Sequence, residues 1–236
     1  MRCLSAGSGV EYRRFRFNAF PTIHWPISND AGYMIFRSVW NMGTIAPWIT
    51  GRFTVPLPKL GDVQVEWVIQ RVAAYIDQQR QTYRRRALPL NQNQKATMGP
   101  FFPAPTLESA RVVVLAGERV RHPPFYAELA KMGFEAGLLP DFADMAAITY
   151  VDTVVSHELF ADRLLFHELV HVVQYEKLGL AEFAAKYVKG FLSGGSYRAI
   201  PLEKNAYELD ARFAAAPARP YSVEVEVQSW IGLGRF

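Results

Sequence analysis

Residues 164 to 173 read LLFHELVHVV, seven uncharged apolar positions wrapped around two histidines and one glutamate. A helix of this make-up has no face that suits water, so the fold must enclose it and also supply partners for two imidazoles and a carboxylate. An unpartnered buried carboxylate is costly or takes up a proton. On a helix, positions i and i+4 stack on one face, so His167 and His171 direct both rings at one point. Glu168 stands one step round the helix, poorly placed to meet the same point but able to reach a molecule held there.

Convergent imidazoles of this kind suit a tetrahedral zinc ion, and a neighbouring carboxylate suits a general base acting on zinc-bound water. The single cysteine, Cys3, excludes a cysteine-built zinc knuckle and an internal disulfide framework, so a third ligand must be His, Asp or Glu. Glu176 lies five positions past His171 and points away. Glu182 opens the next helix behind a short connection, and His157, ten positions before His167, is out of phase. Glu203, Ala206 and Asp210 share a face of a later helix, with Glu208 turned away from it. Glu203 is therefore the preferred ligand, one zinc per chain is expected, and Asp210 or Tyr207 is the candidate acceptor for a histidine Nδ1–H. Tyr197, Tyr207 and His157 are open alternatives for stabilising an oxyanion.

The rest of the chain predicts an α+β fold. Apolar residues from Val65 to Tyr83 at spacings of three and four give a helix from an Asp62 cap to about Arg86. The Pro-, Asn- and Gln-rich stretch 88–106 predicts a loop and the boundary between a basic, aromatic-rich front region, 1–106, and a second domain, 107–236. In that second domain RVVVLAG (111–117) predicts a strand, 123–133 a short helix, and MAAITYVDTVV (145–155) one strand leading into the HELVH helix. That helix should stop at Gly179, be followed by helices over 179–192 and from Pro201, and end in a tail strand, YSVEVEVQSW, with alternate valines buried. Residues 1–60 predict irregular structure with short strands.

The net charge of +4 conceals an asymmetry. Residues 1–122 carry 16 Lys and Arg against 7 Asp and Glu, a net +9, and residues 123–236 carry 10 against 15, a net −5. YRRFRF (12–17) and YRRRA (83–87) mix Arg with aromatics as nucleic-acid surfaces do, yet a solvated basic face, or one that docks on the acidic back half, is the stronger reading, so nucleic acid is not the expected partner. The most apolar early segment, 31–51, is interrupted by Arg37, Asn41 and Pro47, which argues against a membrane span, and the N-terminus lacks a signal-peptide core. These features set a cytoplasmic location as the expectation.

FHELVHVVQY followed by IPLEKNAY resembles the gluzincin type of zincin metallopeptidases, and is similar to small bacterial domains with a HELxHxxQ core, over about residues 140–215. The resemblance implies a zincin-like fold with the HExxH helix beside a small sheet, His167, His171 and Glu203 as zinc ligands, Glu168 as catalytic base, and a peptide or protein as substrate. It also implies that 145–155 is the edge strand bordering the cleft, where the pattern alone allows an interior strand. Gluzincins often carry Asp four positions after the ligand glutamate, where this chain has Tyr207. Two other functions compete: a non-catalytic domain that keeps zinc for stability and binds a protein, and a nucleic-acid-binding module built on the basic front.

Overall fold

A computed structural model describes residues 57–236. The expectations for the irregular front, for YRRFRF and for segment 31–51 lie outside the described residues. Helix α1 (Asp62–Arg84) buries Val68, Ile69, Tyr75, Ile76 and Tyr83 along one face. Its cap is Gly61, whose N–H donates to the Gln64 side chain, and Asp62 is the first helical residue.

The stretch 88–106 is not a loop. It holds a two-residue strand β1 (Leu88–Pro89) and two helices, α2 (Gln92–Met98) and α3 (Ala104–Ser109). Asn91 and Gln94 form a capping box, each side chain bonded to the other's backbone, and Met98 is wholly buried one turn on. Pro105 falls in the first turn of α3, where a missing N–H costs nothing. This stretch and α1 belong to the same compact unit as the HELVH helix.

Strand β2 (Arg111–Val114) is followed by α4 (Tyr126–Lys131) and then by a hairpin where one strand was predicted: β3 (Ala147–Tyr150) and β4 (Thr153–Ser156). Val151 makes the turn with φ 61°, a strained value for a β-branched residue, and neither Gly nor Asn signals it in the sequence. Arg80 and Arg84 of α1 both pair with Asp152 of this turn, at 2.7 and 2.6 Å. Among the described residues the sheet order is β1-β2-β4-β3, with β2 and β4 parallel and the other pairs antiparallel, so β3 is the edge strand there.

Helix α5 (Asp162–Gly194) has two arms that meet at Gly179, whose φ of 73° and ψ of 163° only glycine adopts easily. The break coincides with the predicted stop. Helix α6 (Pro201–Ala215) follows, and α5 packs against it more extensively than against any other element. The tail forms a helix, α7 (Val223–Gly232), and not a strand. Val223, Val227 and Trp230 are buried at helical spacing while Val225, which alternation would bury, is 65% exposed, and the Ser222 hydroxyl caps the helix at Val225 N–H. The hairpin lies between two cores: Val154 joins that of the first arm of α5, α6 and α7, and Val155 joins that of α1, α4 and the second arm. Among the described residues no helix is long and apolar enough to cross a membrane. In YRRRA, Arg84 is held by Asp152 and Arg86 by Glu118.

Candidate metal centre

The first arm of α5 carries His167, Glu168 and His171, each 5–6% exposed, among apolar neighbours that are committed to the core. Phe166 fixes the opposite face, stacked on Phe213 with ring centres 4.4 Å apart. Helix α6 lies close because wholly buried Ala206 faces α5 and because Gly190 on the second arm lets Pro201 approach. A Cβ at Gly190 would stand 2.6 Å from the proline Cδ. This close approach brings Glu203, 2% exposed, to the two histidines.

His167 Nε2 and His171 Nε2 are 3.2 Å apart, and each is 3.5 Å from Glu203 Oε2. A tetrahedral zinc with bonds of about 2.0–2.1 Å holds its ligand atoms about 3.3 Å apart, which is the triangle these atoms form. Their protonation is set from behind. His167 Nδ1 lies 2.8 Å from Asp210 Oδ2, and the other carboxylate oxygen of Asp210 takes two bonds from Arg163. His171 Nδ1 lies 2.9 Å from Gln174 Oε1. The Gln174 Nε2 group donates to the Leu202 carbonyl and to Asn205 Oδ1, so the amide must present its oxygen to His171. Nδ1 of each histidine is thus engaged from behind and Nε2 of each turns inward, where Glu203 Oε2 is buried without a hydrogen-bond partner. Three ligand-competent atoms converge on one point, an arrangement that a cation satisfies and that fits zinc.

In the metal-free protein a proton takes the place of the cation. Burial works against charge on His167, but its bonds to Asp210 and Glu203 prevail and raise its pKa to about 10. His171 is raised against burial by Glu203. Glu203 is held well below the usual carboxylate range, because the two histidines outweigh its burial. The buried group of His167, His171 and Glu203 could hold a metal ion.

Glu168 stands outside that convergent set, with its Oε2 accepting from Thr149 Oγ1 at 2.7 Å. It lines a cavity of about 120 Å³ that runs from His171 and Glu203 to an apolar interior of Tyr75, Phe125, Leu129 and Val188. A smaller recess is lined by His167, Glu168, Tyr197 and Tyr207. Tyr207 sits over the His167 ring at 4.6 Å between centres, so Asp210 and not Tyr207 takes the Nδ1 proton, while Tyr197 borders both spaces.

The structure does not bring His157 forward as an oxyanion donor. Its Nε2 accepts from Val120 N–H and its Nδ1 bonds the Met145 carbonyl, so both nitrogens are occupied in tying loops together. Glu208 is exposed and faces Arg235, Glu176 accepts from Thr106 Oγ1, and Glu182 pairs with Lys186. Sequence reasoning missed Gln174, Asn205, Arg163 and Thr149. Gln174 has a signal, lying three residues after His171 on the same helical face. Thr149 has none, because its partner is reached only through the hairpin.

No family model, no curated protein and no solved structure matches this chain.

Proposed function

We propose that this protein is a zinc-dependent peptidase of the gluzincin kind, with His167, His171 and Glu203 as metal ligands and Glu168 as general base. The observation that carries this reading is the placement of Glu168: a buried carboxylate beside the ligand triangle, excluded from it, and facing the same cavity. A zinc ion kept only for stability would give that carboxylate no task.

Zinc held by these residues supplies a Lewis acid that eases deprotonation of water and polarises the substrate carbonyl. Glu168 takes a proton from the attacking water as the new C–O bond forms, then passes it to the amide nitrogen as the C–N bond breaks. Tyr197 and Tyr207 line the recess beside His167 and Glu168, and their hydroxyls would be the donors to the oxyanion. Strand β3, at the edge of the sheet among the described residues and with Ala147, Ile148 and Thr149 lining the cavity, would pair with an extended peptide. The cavity beyond is apolar and close in size to an engineered cavity of about 150 Å³ that takes up benzene, so it suits one bulky apolar side chain next to the cleaved bond.

A peptide-library digest with the zinc-loaded protein tests this reading, with Glu168→Gln as the control. Cleavage that falls about 10²- to 10⁴-fold in the variant, with zinc retained, is the expected outcome. Undiminished cleavage by the variant would refute the assignment.

A further inference from the structure

Glu168 is the one acidic side chain of the site whose orientation is not set by α5 or α6. Its Oε2 takes a 2.7 Å bond from Thr149 Oγ1, and the alternative acceptor for that hydroxyl, the Glu168 carbonyl, is farther away at 3.2 Å. A threonine hydroxyl has one proton, so the shorter bond to the carboxylate holds it. Thr149 is 8% exposed on the edge strand β3, and the turn that ends this strand is clamped to α1 through Asp152. One carboxylate oxygen is therefore fixed by the sheet. The other, Oε1, makes no hydrogen bond among the described residues.

We infer that Thr149 is a positioning residue for the general base: it engages Oε2 so that Oε1 faces the reacting molecule. The inference rests on the peptidase reading for its catalytic part. Its structural part, that Thr149 and not the helix sets the direction of the carboxylate, stands separately. A plain filling role for Thr149 would be met equally by valine, which has the same shape without the proton.

The test compares wild type with Thr149→Val, Thr149→Ser and Thr149→Ala, each loaded with zinc, by kinetics on a peptide found in the library digest and by crystal structures. The valine and alanine variants should keep their zinc, lose about 10- to 100-fold in kcat and leave KM within about twofold, while serine restores most of the loss. In the crystal structures the Glu168 carboxylate should hold its place in wild type and Thr149→Ser and leave it in the other two. A kcat within about twofold of wild type in Thr149→Val and Thr149→Ala, or serine as impaired as valine, would overturn the catalytic role. An unmoved Glu168 carboxylate in both hydroxyl-free variants would overturn the positioning itself. If wild type cleaves no peptide, the peptidase reading fails, and the place of the Glu168 carboxylate still decides what Thr149 does.

Discussion

Gln174 Oε1 lies 2.9 Å from His171 Nδ1, one turn along the same helix, and the amide is held in that orientation by two acceptors on α6. The ligand face of α5 is thereby tied to the helix that brings Glu203. Replacing Gln174 with Leu removes the acceptor and leaves the His171 Nδ1–H, the Leu202 carbonyl and Asn205 without their partner. Zinc affinity should fall about 10- to 100-fold, read by competition with a coloured chelator, because a ligand imidazole without its outer partner loses both orientation and basicity. Unchanged affinity would show that the helix alone orients the ring.

Proton and metal compete for the centre. His167 has its pKa raised to about 10, so in the metal-free protein it contributes stability that is fully present below the unfolded histidine value and is lost as pH rises through 10. Glu203, depressed, contributes stability present above the ordinary carboxylate range and lost only in strong acid. The chelator-treated protein should therefore lose melting temperature between about pH 7 and 10, and zinc binding near neutral pH should release about one proton, seen by calorimetry in buffers of different ionisation enthalpy. A flat melting profile and no proton release contradict this.

Gly190 has no side chain near the ligand atoms, yet its substitution should reach them. A Cβ there would meet the rigid ring of Pro201, two residues before Glu203, at 2.6 Å. Gly190→Ala should cost about 1–3 kcal/mol in chemical denaturation and weaken zinc binding as well, since the start of α6 must move away. Loss of stability with zinc affinity untouched would mean that α6 absorbs the shift before Glu203.

The apolar cavity makes a prediction about preference. Val72 of α1 lines it and is partly buried, so Val72→Phe should fill part of the space without opening the core. Cleavage beside large apolar side chains should decline about tenfold relative to cleavage beside alanine or glycine, the scale on which a hydrophobic pocket discriminates by size. A library digest of wild type and variant measures the ratio, and an unaltered ratio would detach the cavity from the substrate.

How much of this was legible in the sequence depends on whether the signal was local. The HELVH helix, its stop at Gly179, the α6 face of Glu203, Ala206 and Asp210, and α1 all follow from apolar spacing and caps, which act within one or two turns. The loop prediction for 88–106 failed because composition outweighed a capping box, Asn91 with Gln94, that marks a helix start. The tail misled because VEVEV satisfies both periods, and burial of Trp230 at helical spacing decides between them. The turn at Val151 was hidden because its stabilisation comes from Arg80 and Arg84, roughly seventy residues away. For the same reason the Asp210 contact could be placed by face, whereas Thr149, which needs the hairpin and α5 together, could not.

The most direct test of the central claim is the metal content of purified wild type, Glu203→Ala and Glu208→Ala by mass spectrometry. The account predicts about one zinc per chain in wild type and in Glu208→Ala, and loss of zinc in Glu203→Ala. Zinc retained in Glu203→Ala, or wild type that takes up none even when zinc is supplied, would contradict it.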